Sequence, residues 1–183
     1  MMKREEILKM QEGFLTEQSL GYFLKLIYEG AFFEHDKSFI KGLRIRPDYR
    51  SELLKIIVEF DGYNHYTSPD RIVADFENME IYKSLGYKVI RIPYFVQMSK
   101  SVIKYLFEKN VDIEQTYKHG FVSSKATNVL PSSFCMLGIR KFQEDLDRFK
   151  FINEDLKDSL KQQLKIKKKR ELVLPEQLFY LFD

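Results

Sequence analysis

The segment Leu53-Leu54-Lys55-Ile56-Ile57-Val58-Glu59-Phe60-Asp61 constrains the fold of this chain more than any other. It is rich in β-branched and aromatic residues and is closed by Gly62, which reads as a strand. Side chains alternate along a strand, so Leu54, Ile56, Val58 and Phe60 share an apolar face while Ile57, Glu59 and Asp61 share the other. Both acids then point the same way at the strand's C-terminal end, about 7 Å apart. A carboxylate inside an otherwise apolar strand is expensive if unpaired, and no cation sits nearby in register.

Arg46-Pro47-Asp48 lies just upstream and His65 just downstream. Bringing Asp48 to the strand end gathers three like charges, which raises carboxylate pKa values unless a cation neutralises them. Mg²⁺ answers that need, because it is hard, takes oxygen ligands and keeps waters, and Mn²⁺ is expected to substitute for it. Such a metal polarises a phosphoryl oxygen and lowers the pKa of the attacking water. Asp48, Glu59 and Asp61 are the expected ligands. The competing reading makes Pro47-Asp48 an ordinary turn and Asp61-Gly62 a strand-ending one. His65 follows the acids across the Gly turn, and with an ordinary pKa of about 6.5 it suits a general base or an oxyanion partner. His35 and His119 have no such context and are expected to be solvated or capping.

These residues resemble the PD-(D/E)XK nuclease superfamily, in the branch similar to very-short-patch-repair endonucleases and related small endonuclease domains. In that branch the superfamily's Glu-x-Lys looks like Glu-x-Asp-Gly-x-x-His, here Glu59-Phe60-Asp61-Gly62-Tyr63-Asn64-His65. The earlier Asp falls on Asp48, and the closing strand on Gly86-Tyr87-Lys88-Val89-Ile90-Arg91. The resemblance covers roughly residues 14–96. It departs at the usual Asp-x-x-Arg-Asp, which reads Asp75-Phe76-Glu77-Asn78-Met79, and at the superfamily's Lys, replaced by Asp61. It implies that Glu17, on the first helix, approaches the metal site through water or a basic residue; a Glu in a first turn also suits the helix dipole alone. Arg91 and Lys88 face opposite sides of their strand, and either can contact a phosphate or pair with an acid.

Periodicity gives a matching order. Thr16 or Ser19 starts a helix carrying Leu20, Phe23, Leu24 and Ile27 and ending at Gly30. Short strands are expected at residues 39–43 and 45–49, before the strand with Glu59. A helix from Pro69-Asp70 presents Ile72, Val73, Phe76 and Met79 and ends at Gly86. A strand at residues 87–92 and a helix after Ser99 complete an αβββαβα order, a mixed α/β sheet with helices on it. The resemblance implies a restriction-endonuclease-like αβββαβ core, taken as residues 1–110; the mainly helical extension over residues 111–183 is expected to contact DNA or to dimerise, with completion of the hydrophobic core as the alternative. In the extension Phe142, Leu146 and Phe149, then Leu156, Leu160 and Leu164, recur at helical spacing, and Asn153 reads as an N-cap. The loop from His119 to Ser133 either lies over DNA or simply connects.

The chain's 183 residues carry 30 basic against 27 acidic side chains, a net charge of +3 that permits nucleic-acid binding without requiring it. Residues 161–170 hold six basic residues and no acid, among them Lys167, Lys168, Lys169 and Arg170. They suit salt-sensitive phosphate contacts or equally a solvated helix end. One cysteine, Cys135, allows no internal disulfide, and no apolar h-region or membrane-length run is visible, so a cytoplasmic location is expected. The expected activity is Mg²⁺-dependent DNA endonuclease chemistry of restriction or repair type, with DNA as partner, a homodimer possible, and any methyltransferase or repair partner unspecified. The alternative is a non-catalytic nucleic-acid-binding or complex-assembly module on the same scaffold.

Overall fold

The structure, a computed structural model, describes residues 11–121 and 129–183. Thr16 caps α1 (Glu17–Ile27) by accepting from the Ser19 N–H, while the Ser19 hydroxyl accepts from the Thr16 N–H. Strand β1 (Glu34–His35) pairs antiparallel with β2 (Tyr49–Ser51), and β2 pairs antiparallel with β3 (Ile56–Asp61). Strand β4 (Lys88–Pro93) lies parallel to β3, completing a four-stranded mixed sheet in the order β1-β2-β3-β4. A parallel neighbour requires a crossover, here supplied by the short α2 (Asn64–Thr67) and by α3 (Pro69–Ser84), whose N-cap is Ser68. Helix α4 (Lys100–Phe107) follows, capped by Ser99.

The strands and longer helices follow the expected order, with the short α2 added after β3, but two strands fall elsewhere. Residues 39–43 and 45–48 do not pair as strands; β1 forms at residues 34–35, and β2 takes only Tyr49 from the expected second strand and runs over residues 49–51. Strand β3 also starts later than expected, because residues 52–55 turn the hairpin, with Lys55 at a φ of 51° and Leu53 exposed. Within β3 both Ile57 and Val58 are fully buried, so the strand is covered on both faces. Val58 joins the main core, and Ile57 packs with Tyr82 and Tyr87 in a smaller cluster.

Helix α3 does not bury the face expected of it. Val73 is 50 % and Phe76 61 % exposed, and Tyr82 is its one buried residue. Asp75 and Tyr82, seven residues apart, share a face and meet the sheet instead, so a charged contact replaces the apolar one.

Beyond residue 129 come α5 (Met136–Arg148) and α6 (Asn153–Lys167), then a single-turn 3₁₀ segment at Arg170–Leu172 and a longer one at Glu176–Phe182. Asn153 begins α6 without capping it, and its Oδ1 is buried with no hydrogen-bond partner among the described residues. The main core runs unbroken from Leu15 to Phe182. Helix α5 approaches α2 so closely that a Cβ at Gly138 would stand 1.7 Å from the Tyr66 carbonyl oxygen. Among the described residues no helix is long and apolar enough to cross a membrane.

Candidate metal centre and its ion-pair network

The β2–β3 register places Tyr49 opposite Val58, which sets Asp48 beside Glu59. Asp48 Oδ2 accepts from the Phe60 N–H at 2.6 Å, and Glu59 Oε2 accepts from the Asp48 N–H at 3.2 Å. The other Asp48 oxygen, Oδ1, accepts no hydrogen bond among the described residues. Burial, then the charge of Asp48, pushes the Glu59 pKa up to about 8. Burial likewise carries Asp48 to about 6, aided by the charges of Glu17 and Asp61 and opposed by the Phe60 N–H and His65. The Tyr82 hydroxyl is buried next to this pair, its pKa raised by burial and then by the charge of Glu59.

From α1, Glu17 adds a like charge near Asp48. Its Oε1 lies 2.7 Å from His35 Nε2, so His35 is a partner of a candidate site residue rather than merely solvated. The Tyr49 hydroxyl donates to the Glu17 carbonyl at 2.9 Å, and Gly21 leaves room for it, since a Cβ there would meet Tyr49 Oη at 2.4 Å. His119, also expected to be solvated, is partly buried, with Nδ1 unpartnered and its pKa lowered by burial.

Asp61 is in a different state from Glu59. It is fully buried; Arg91 donates to it from both Nη2 and, at 3.1 Å, Nε, and Lys141 Nζ lies 2.7 Å from its Oδ2. Burial alone would raise its pKa, but Arg91 and then Lys141 outweigh burial and hold Asp61 well below the usual carboxylate range. The expected third metal ligand is therefore already neutralised. His65 Nδ1 lies 2.5 Å from Asp75 Oδ2 and 3.9 Å from Asp61 Oδ1, and Arg91 Nη2 reaches Asp75 at 3.2 Å. Ligand atoms of Asp61, His65 and Asp75 fall within 4.8 Å of one another, but Arg91 and Lys141 occupy the carboxylates. That trio is an ion-pair network rather than a vacant cation site.

Lys141 also lies 3.1 Å from Asp145, which accepts from the Tyr66 hydroxyl at 2.6 Å and from Arg148 at 3.1 Å. Sequence reasoning missed Asp75, Lys141 and Asp145. The shared face of Asp75 and Tyr82 was a usable signal; Lys141 and Asp145 stand at i,i+4, a spacing common on solvated helices and so uninformative alone.

Of the expected phosphate contacts, Arg91 spends its guanidinium on Asp61 and Asp75, and Lys88 pairs at the surface with Glu108 at 3.2 Å. Lys167 ends α6, Lys168 follows it at a φ of 61°, Lys169 is exposed, and Arg170 lies over the rings of Phe179 and Phe182. The loop from His119 to Ser133, read as lying over DNA or simply connecting, falls partly outside the described residues, at 122–128. An open groove of about 460 Å³ between α3 and α5 shares Asp75, Arg91, Lys141 and Asp145 with the network and is walled by Ile72, Phe76, Met79 and Leu137. It does not include Asp48 or Glu59.

Comparison of the chain with family models, with curated proteins and with solved structures finds no match.

Proposed function

We propose that this chain is a metal-dependent DNA endonuclease built on a restriction-endonuclease-like core. One observation carries the reading: Asp48 and Glu59 are brought side by side and partly buried, each accepting one backbone N–H and each with a pKa raised by burial and like charge. Two hard oxygen donors suit Mg²⁺ or Mn²⁺, which take one or two protein carboxylates and keep several waters. Bound there, the cation supplies Lewis acidity and a water of lowered pKa.

The chain's own residues do the rest. Asp48 and Glu59 bind the cation. Asp75 holds His65 through Nδ1, which orients the ring so that Nε2 takes a proton from water. Arg91 and Lys141 neutralise Asp61, which supports the site from behind rather than coordinating. Glu17, tied to His35, adds negative charge near Asp48.

A non-catalytic nucleic-acid-binding module is the second reading, favoured by the pairing of Asp61, Asp75 and Asp145 with cations as structural acceptors. The test incubates wild type and Asp48→Ala with supercoiled and mismatched duplex DNA in EDTA, Mg²⁺ or Mn²⁺. Metal-dependent cutting that the variant loses supports the nuclease. Salt-sensitive binding with no product under any metal supports the module.

A further inference from the structure

An open pocket of about 400 Å³ lies between α1 and the strands β1 and β2, and it shares no residue with the groove between α3 and α5. Gly30, at a φ of 79°, turns the chain after α1, and Phe32 and Phe33, which follow, both line the pocket. His35 on β1 and Tyr49 on β2 line it too, their rings 4.7 Å apart and tilted by 32°. Gln18 and Lys25, exposed on α1, add an amide and an ammonium. The two phenylalanines differ. Phe33 packs 5.7 Å from the Tyr28 ring, whereas Phe32 is 73 % exposed and pairs with no ring among the described residues. Lys25, in the last turn of α1, likewise pairs with no acid among the described residues.

Two contacts join this pocket to the candidate metal centre. Tyr49 directly follows Asp48 in the chain, and its hydroxyl donates to the Glu17 carbonyl at 2.9 Å. His35 Nε2 lies 2.7 Å from Glu17 Oε1. We infer that the pocket takes one unstacked nucleobase of the DNA that the Asp48–Glu59 pair cuts, with Phe32 as the stacking platform and Lys25 on an adjoining phosphate. The inference rests on the reading of the chain as a DNA endonuclease, and it names the substrate class: a duplex carrying an unpaired nucleotide beside the scissile bond. A splayed base offers a face to stack, edges to hydrogen-bond and a phosphate on its sugar, which an exposed ring, an amide and an ammonium answer in turn. A pocket near the low end of the ~300–1,000 Å³ typical of small-ligand sites admits one nucleotide and excludes a duplex. A base therefore has to leave the helix to enter, which costs least where it has no pairing partner.

The test is fluorescence anisotropy of the full chain, in EDTA so that no DNA is cut, against a labelled duplex with one unpaired adenine and the same duplex fully paired. Wild type is expected to bind the bulged duplex about tenfold more tightly, the lower end of what stacking one base on an aromatic ring gives. Phe32→Ala is expected to bring the ratio of affinities to about one, and Phe32→Trp, which keeps a stacking face, to preserve it. Phe32 is at the surface, so neither variant is expected to alter folding. Equal affinity of wild type for the two duplexes overturns the inference and leaves the nuclease reading to stand on metal-dependent cutting. A preference for the bulged duplex that Phe32→Ala retains also overturns it, because the base is then held elsewhere. No binding to either duplex overturns it as well, and the nuclease reading falls with it only where Mg²⁺ and Mn²⁺ also give no cutting.

Discussion

Glu59 faces Arg91 directly in the β3–β4 register, yet the Arg91 guanidinium goes to Asp61, one alternation further along. The consequence is a carboxyl pair, Asp48 and Glu59, that the folded chain prefers to keep protonated, with pKa values of about 6 and about 8 against ordinary values of 3.8 and 4.5. Raised carboxyl pKa values stabilise the fold fully only below the ordinary values, and that contribution is lost as pH climbs through 6 and then 8. Glu59→Gln is therefore expected to match wild type near pH 4 and to exceed it above pH 8 by about 2 kcal/mol, or roughly 4–8 °C in Tm. Thermal melts of the metal-free protein across pH check this; a variant less stable than wild type at pH 9 contradicts it. Asp75→Asn removes the carboxylate that orients His65 and is expected to slow cleavage roughly 10- to 100-fold with the circular dichroism unchanged. The i,i+2 placement of the two acids was legible in the sequence. Which one would be neutralised was not, because the partners of Asp61 lie 30 and 80 residues away and leave no local spacing.

Elements were legible where local chemistry defines their ends. Thr16, Ser68 and Ser99 each cap the helix expected after them, and β3 stops at Asp61 before Gly62. They were not legible where tertiary partners decide. The Phe39–Leu43 stretch has strand-like residues, but Phe39 instead stacks on Tyr82 and lies 4.3 Å from the Arg50 guanidinium, and β1 forms earlier in the chain. The apolar spacing on α3 is real, but Asp75 turns that helix toward Arg91 and leaves Phe76 in the groove wall. The α2–α5 contact depends on Gly138 in the same way. Gly138→Ala forces the two backbones apart and is expected to cost about 1–3 kcal/mol, while drawing Lys141 away from Asp61. Gly62→Ala is the control: it meets nothing within 4 Å and is expected to stay within about 0.5 kcal/mol. Chemical denaturation of both variants checks the contrast.

At the scale of the whole molecule, the boundary expected at residue 110 crosses the main core cluster. Tyr66, Tyr94 and Phe95 on one side pack against Phe121, Phe134 and Phe142 on the other, with ring centroids 4.9 Å apart for Tyr66–Phe134 and 5.1 Å for Phe95–Phe142. The Tyr66 hydroxyl and one of the cations on Asp61 also come from beyond the boundary, through Asp145 and Lys141. Each large aromatic lost from such a core costs roughly 3–5 kcal/mol, against a total stability of about 5–15 kcal/mol for a typical domain. A chain cut after residue 110 loses several at once and leaves Asp61 buried with Arg91 alone. It is expected to show no cooperative thermal transition by circular dichroism and to bind no Mn²⁺, although it keeps every residue of the sequence motif. A cooperative melt of the 1–110 fragment would instead make the motif half an independent folding unit. The periodicity of Phe142, Leu146 and Phe149 pointed to a helix that needs a partner. Only the fold shows that the partner is the half that carries the acids, which makes the C-terminal half part of the candidate site rather than an attachment to it.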